Sequence, residues 1–117
     1  MADEITFSEN KLILPSKTIS FKYKIAQIIQ TTLRIFVLLD IPDGVIDCEN
    51  IYSMTKTGDL VWIIQHINKF NPNIKFVSSY VGMALLPNGN ISATNYVGMT
   101  YEVSAKNGFL LSGRMSK

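Results

Sequence analysis

The chain has 117 residues, of which 47% are hydrophobic and 17% charged, and its formal net charge is +2. This composition is typical of a folded globular protein and excludes a largely disordered one. A chain of this length supports one hydrophobic core, so we expect a single β domain over residues 1–117. The longest apolar run, at residues 35–39, is far below the roughly 18 residues of a membrane-spanning helix, so we expect no membrane partner.

The single cysteine and the N-terminal sequence indicate a cytoplasmic location. Cys48 has no second cysteine with which to form an intramolecular disulfide, which fits a reducing compartment. The start, MADEITF, carries acidic residues and lacks the basic and then apolar pattern of a secretory signal. Because Asp47 and Glu49 flank Cys48, their charges disfavour a reactive thiolate, and we expect no catalytic cysteine.

The positive charge is too dilute to predict a nucleic-acid partner. Residues 61–117 hold five Lys or Arg and one acid, whereas residues 1–60 hold six Lys or Arg and eight acids. Nucleic-acid binders usually cluster more cations and interleave them with exposed aromatic side chains. We therefore do not expect the chain to bind nucleic acid.

Turn signals divide the chain from residue 49 onward into short apolar runs, which is typical of antiparallel hairpins. Gly58, Gly89 and Gly108 each stand where a tight turn needs a positive φ. The pattern predicts an all-β fold with room for one short helix, as a single antiparallel meander sheet or a small β-sandwich built of consecutive hairpins. The predicted strands are 50–55, 60–65, 80–86, 91–95, 99–103 and 109–115.

The N-terminal third is harder to assign. Residues 34–39 (RIFVLL) predict a central strand, and residues 11–14 and 17–23 predict a hairpin around Pro15-Ser16. The apolar residues of 25–36 and of 60–67 also fit helical spacing, and periodicity alone does not separate the two. We predict strands at 26–32 and 60–65 and leave the helix open as the alternative. Residues 65–79 predict the longest loop.

The chain lacks the residue combinations of known catalytic and metal sites. His66 is the only histidine, which excludes a histidine pair, and Glu102 is the only acid after residue 60. Asp40, Asp43, Asp47 and Glu49 form an acidic cluster, but their spacing is not that of a calcium-binding loop. We therefore expect no enzyme activity, no metal and no cofactor.

Candidate binding residues come from turns and loops, where exposed side chains often carry function. Tyr96 stands in a turn before Gly98, and Asp43 and Asp47 would face a basic partner. The long loop contributes a further group of candidates. The predicted protein-binding residues are Tyr96, Asp43, Asp47, His66, Lys69 and Phe70.

A hairpin motif resembles a known family of folds. The run from Asn50 and Tyr52 through Gly58 to Trp62 resembles the blade hairpin of quinoprotein-type β-propellers, in which the Trp packs between blades. A diverged second copy runs from Asn95 and Gly98 to Gly108. A propeller needs at least about four blades, so the resemblance is to the blade unit and not to a closed ring. We predict that Trp62 lies in the core.

The same motifs, with Val37-Leu38-Leu39 before them and Tyr80-Val81-Gly82 between them, are similar to those of small uncharacterised bacterial proteins. This resemblance implies a β architecture and a bacterial or phage origin. We expect a non-enzymatic macromolecule-binding protein, with another protein as partner, that acts as a toxin-immunity or inhibitor protein by steric occlusion. The net charge of +2 disfavours a basic nuclease as its target.

Two other functions stay open. A nucleotide-like small ligand could meet phosphate-binding cations in the C-terminal half, at Lys69, Lys75, Lys106 and Arg114. Exposed edge strands could instead pair between subunits in a self-assembling homo-oligomer.

Overall fold

The computed structural model describes residues 4–115, which form three antiparallel sheets. The elements are β1 (Thr6–Ser8), β2 (Lys11–Ile13), β3 (Thr18–Ser20), β4 (Ile25–Gln30), β5 (Arg34–Leu39), β6 (Ile51–Thr55), β7 (Leu60–Ile63), α1 (Ile67–Phe70), β8 (Tyr80–Leu85), β9 (Ile91–Asn95), β10 (Met99–Val103) and β11 (Leu110–Met115). Sheet A has the order β1-β2-β3, sheet B the order β4-β5-β6-β7, and sheet C the order β8-β9-β10-β11. The predicted all-β, antiparallel fold is confirmed. In the described part of the chain, no helix is long and apolar enough to cross a membrane.

Sheet B is the middle layer of the stack. Along β5, Ile35, Val37 and Leu39 pack with Leu12 and Leu14 of the N-terminal segment. The alternate residues of β5, Phe36 and Leu38, pack instead with side chains of sheet C. Because β5 pairs with β4 and β6 and is covered on both faces, its sequence is a continuous apolar run instead of an alternating one.

Each end of the stack presents a mostly polar face. The outward positions of sheet C, read from the strand register, are Ser92, Thr94, Thr100, Glu102, Ser112 and Arg114. Those of sheet A are Thr6, Ser8, Lys11, Ile13, Thr18 and Ser20. Stacking a further sheet on either face would bury hydroxyl and charged groups, which is costly unless each finds a partner.

A large side chain from one sheet packs onto a hairpin glycine of the next sheet at both junctions. At the junction of sheets A and B, a Cβ on Gly58 would lie 2.7 Å from Cδ1 of Ile19. At the junction of sheets B and C, a Cβ on Gly108 would lie 2.6 Å from the indole ring of Trp62. The Trp62 Nε1–H donates to the carbonyl of Ala105 at 2.9 Å, and Trp62 is buried as predicted.

Asn50 provides a second link between sheets B and C. Its side chain is fully buried, and Nδ2 donates to the carbonyls of Leu39 and Tyr80 at 2.9 Å each. Its Oδ1 accepts the backbone N–H of Tyr80 at 3.1 Å. The amide therefore fixes the start of β8 against the end of β5.

The other residues of the predicted hairpin motif also have structural roles. Tyr52 is half-buried and packs edge-on against Phe21, with ring centroids 5.3 Å apart. Asn95 Oδ1 accepts the backbone N–H of Met99 and closes the β9–β10 turn, in which Gly98 has a φ of 95°.

The two ambiguous segments are strands. Residues 25–30 form β4 where residues 26–32 were predicted, and residues 60–63 form β7, which ends before the predicted residue 65. The positions of two elements were not predicted, although the predicted fold allowed one short helix. β1 has three exposed residues and no apolar alternation, and α1 is a single turn inside the predicted loop 65–79.

Candidate functional site

A cleft of about 540 Å³ opens where three connecting segments meet beside the edge strands β4 and β8. Its walls are residues 39–46 at and after the end of β5, residues 76–81 before and at the start of β8, and the β9–β10 turn at residues 96–97. Ala26 of β4 completes the lining. The volume lies within the range of about 300–1,000 Å³ that ligand pockets usually have.

Hydrogen bonds hold the three walls together. The Oγ of Ser79 accepts the backbone N–H of Asp47 at 2.8 Å, and the carbonyl of Ser79 accepts the backbone N–H of Tyr96 at 3.0 Å. Asn50 binds the carbonyls of Leu39 and Tyr80 behind the cleft. The cleft is therefore formed by bonded segments and needs no ligand to shape it.

Large apolar side chains are exposed around the cleft. Phe76 is 89% exposed, Tyr96 81% and Ile46 67%. The exposed large hydrophobic residues among its lining are Val45, Ile46, Phe76, Val81, Tyr96 and Val97. Exposed apolar patches with a polar rim mark interaction sites more often than scattered single residues do.

Two carboxylates without cationic partners belong to the same lining. Asp40 and Asp43 are exposed, and within residues 4–115 neither forms a salt bridge. Asp47 differs, because its carboxylate lies 3.0 Å from the Nζ of Lys22. The hydrogen bond with Asp47, and then the charge of that carboxylate, raise the pKa of Lys22.

The structure separates the predicted binding residues into two groups. Tyr96 and Asp43 line the cleft, and Asp47 is tied to it through Ser79. His66, Lys69 and Phe70 belong to the α1 region and do not line the cleft.

The side chains of the α1 region serve the fold. Nδ1 of His66 accepts the backbone N–H of Asn68 and caps the helical turn, and Phe70 packs edge-on against Tyr101 at 6.1 Å. These contacts give His66 and Phe70 structural roles outside the cleft lining.

Several cleft residues were not among the predicted binding residues, although the sequence around them is unusual for a loop. Phe76 belongs to the run Ile74-Lys75-Phe76-Val77, an apolar stretch in an otherwise polar loop. Phe76 and Val77 line the cleft, whereas Ile74 packs against the core between sheets B and C. Val45 and Ile46 are likewise apolar residues in a polar segment, since they lie between Asp43 and Asp47.

Of the four cations expected to meet a phosphate, none lines the cleft and one, Arg114, lines a depression elsewhere. Lys69, Lys75 and Lys106 line neither the cleft nor the shallow depression of about 180 Å³ on the outer face of sheet C. Arg114 lines that depression beside Glu102.

Among residues 4–115 no three His, Cys, Asp or Glu side chains are placed to hold a metal ion. Burial raises the pKa of the Cys48 thiol and so disfavours the thiolate.

Glu102 gives a pH-dependent prediction. The Nδ2 groups of Asn90 and Asn88 donate to its Oε2 at 2.8 and 2.9 Å, and these bonds lower the pKa of Glu102. Since the folded state favours the carboxylate, its stabilising effect is present above the unfolded pKa of about 4.3 and is lost as the pH falls through the folded pKa. We expect Glu102→Gln to lower the Tm slightly at neutral pH and to converge with the parent at low pH.

Thermal unfolding between about pH 3 and pH 7 tests this expectation. Glu49→Gln is the matched control, since no hydrogen bond to the Glu49 carboxylate is present in residues 4–115. A Tm difference for Glu102→Gln that stays constant over this pH interval would contradict the assignment.

The fold and the cleft together define an all-β protein of three stacked antiparallel sheets with a preformed apolar cleft beside the edge strands of sheets B and C. The chain belongs to the family described as a domain of unknown function (DUF7957), whose model matches residues 2–114. This agrees with the expected likeness to small uncharacterised proteins. No curated protein and no solved structure was found to match the chain.

Proposed function

We propose that the protein is a non-enzymatic binding protein that recognises another protein through the cleft. The observation that carries the proposal is the grouping of six exposed large apolar side chains around one preformed depression. Fully burying such a side chain contributes about 1.5–3 kcal/mol, so an occupant that covers several of them gains a substantial free energy.

The shape of the cleft favours a protein over a fully enclosed small molecule. Phe76 and Tyr96 are more than four-fifths exposed, so an approaching surface can contact them directly. Aromatic side chains dominate the binding energy of protein interfaces. A small apolar ligand is the second candidate, because the volume of about 540 Å³ would admit one.

The mode of action that we propose is steric occlusion by a toxin-immunity or inhibitor protein of bacterial or phage origin that works in the cytoplasm. The stack of sheets with hydrogen-bonded loops supports this mode of action, because a rigid surface loses little conformational entropy on binding. The net charge of +2 makes a strongly basic toxin a poor target.

We also propose that the hairpins around Gly58 and Gly108 correspond to the propeller-blade unit. The support is the contact described above, in which Trp62 of one sheet packs on Gly108 of the next while its indole N–H binds Ala105. The proposal concerns the scaffold and leaves the function of the cleft unchanged.

Affinity capture from lysate of the source cells tests the function. We expect the tagged protein to retain a stoichiometric protein partner, and the double variant Phe76→Ser, Tyr96→Ser to lose it. The control is Leu33→Ser, Phe109→Ser, which removes two exposed apolar side chains outside the cleft.

The outcomes separate the candidates. Equal loss of the partner in both double variants would overturn the assignment to the cleft. Capture of no partner would also overturn the proposal, and the mass of the protein in solution would then distinguish self-association from a monomer that binds a small ligand.

A further inference from the structure

The cleft combines apolar side chains with a one-sided charge. Within residues 4–115 its lining includes Asp40 and Asp43 and no Lys or Arg. A partner whose contacting surface is purely apolar would bury these carboxylates without partners, at a cost of several kcal/mol for each ion. A favourable occupant therefore brings a cation to the side of the cleft formed by residues 40–43.

Two lysines lie nearby, and both are already paired. A neighbouring depression includes Lys22, Lys24 and Asp40. Nζ of Lys22 lies 3.0 Å from the Asp47 carboxylate, and Nζ of Lys24 lies 3.6 Å from that of Glu9. Glu9, Asp40, Asp43 and Asp47 thus give four carboxylates against two ammonium groups. Within residues 4–115 the two carboxylates without a salt bridge, those of Asp40 and Asp43, belong to residues of the cleft lining.

A second copy of the chain is a poor occupant. In a two-fold symmetric contact the same patch meets itself, so Asp40 and Asp43 of both copies would enter one interface. Like charges brought together in this way disfavour the contact, and the part of the lining that the structure describes offers no cation to relieve them.

Strand addition along β8 is also disfavoured. The side chain of Gln27 donates from Nε2 to the carbonyl of Met83 at 2.8 Å and accepts the N–H of Met83 at 3.2 Å. Because this amide occupies backbone groups that an added strand would need, the occupant must be recognised chiefly through its side chains.

We propose that the cleft binds a short exposed protein segment in which a lysine or arginine is flanked by large apolar side chains. The inference rests on the proposed function and adds the chemistry of the partner. The cation meets Asp40 and Asp43, while the flanking side chains pack on Phe76, Tyr96 and Val97.

Two dye-labelled peptide libraries test the proposal by fluorescence anisotropy. Both have Leu, Ile, Phe and Tyr mixed at the flanking positions, and they differ only in a central Arg or Glu. We expect the Arg library to bind at least about tenfold more tightly, and more weakly as the salt concentration rises.

Variants identify which part of the cleft is responsible. Asp40→Asn, Asp43→Asn is expected to remove the preference for Arg, whereas Asp59→Asn, at an exposed acid outside the cleft, is expected to keep it. Phe76→Ser, Tyr96→Ser is expected to lose binding of both libraries. All of these side chains are exposed, so the variants should fold.

Each failure has a separate meaning. Equal binding of the two libraries that depends on Phe76 and Tyr96 would overturn the charge preference and leave the proposed function standing. Binding that is indifferent to Phe76 and Tyr96 would overturn the proposed function as well. If neither library binds, the inference is wrong, and a mass that rises with concentration would then identify a second copy as the occupant.

Discussion

Replacing Trp62 with alanine is expected to lower the free energy of unfolding by about 3–5 kcal/mol. The side chain is buried between sheets B and C, its ring lies against Gly108 and 5.8 Å from the Phe36 ring centroid, and its N–H binds Ala105. Removing it leaves a cavity at the main junction of the core. Urea-induced unfolding monitored by far-UV circular dichroism measures the loss.

Trp62→Phe tests how much of this loss comes from the hydrogen bond of the indole N–H. Trp62→Phe keeps most of the volume, and the Ala105 carbonyl still accepts from Arg34 at 2.9 Å, so we expect a smaller loss of about 1–2 kcal/mol.

Gly108→Ala should be more destabilising than Gly89→Ala, because both have a positive φ but only Gly108 meets the indole ring. Equal losses at the two glycines would contradict the packing role.

Asn50→Leu is expected to cost about 3–5 kcal/mol, because it leaves buried backbone groups of Leu39 and Tyr80 without the partner that Asn50 provides. Leucine is close in size, so the loss reports hydrogen bonding more than volume. Since Leu39 and Tyr80 line the cleft, the same substitution should also weaken binding of the captured partner.

The same denaturant titration checks Asn50 against a surface asparagine. Asn73 is exposed, and Asn73→Leu should change the free energy of unfolding by less than about 0.5 kcal/mol. If Asn50→Leu were as mild as Asn73→Leu, the amide could not be the link between sheets B and C.

The strands were predictable where their boundaries are set locally. Residues 91–95 and 99–103 are strands at the predicted boundaries, since turn residues such as Gly98 and the following apolar runs act over a few positions. Residues 34–39 were predictable for the same reason. The assignment of strands to three sheets was not, because it depends on which faces meet in space.

Hydrophobic periodicity was a poor guide to secondary structure in two segments. In residues 60–67 the apparent helical spacing combines Leu60 and Val61 of β7 with Ile64 and Ile67, which lie beyond the strand. The period therefore spans two elements and describes neither. β1 left no signal, because its side chains are exposed and its pairing with β2 is all that defines it.

The site was predictable only in fragments. Tyr96 and Asp43 were chosen from separate turns, and nothing in the sequence placed them at one cleft. Their convergence depends on Ser79 and Asn50, whose hydrogen bonds join segments 17 to 32 residues apart in the chain. Phe76 was overlooked because an unpaired apolar residue in a loop has no periodicity to reveal it.

The succession of three sheets, each made only of neighbouring strands, determines the order in which the protein can fold on the ribosome. Every strand pairs with one adjacent in sequence, so each sheet can close as soon as its last hairpin has been synthesised. Sheet B then has one face covered by sheet A, while Phe36, Leu38 and Trp62 still await sheet C. A nascent chain that stops before β8 therefore leaves these apolar side chains in contact with water.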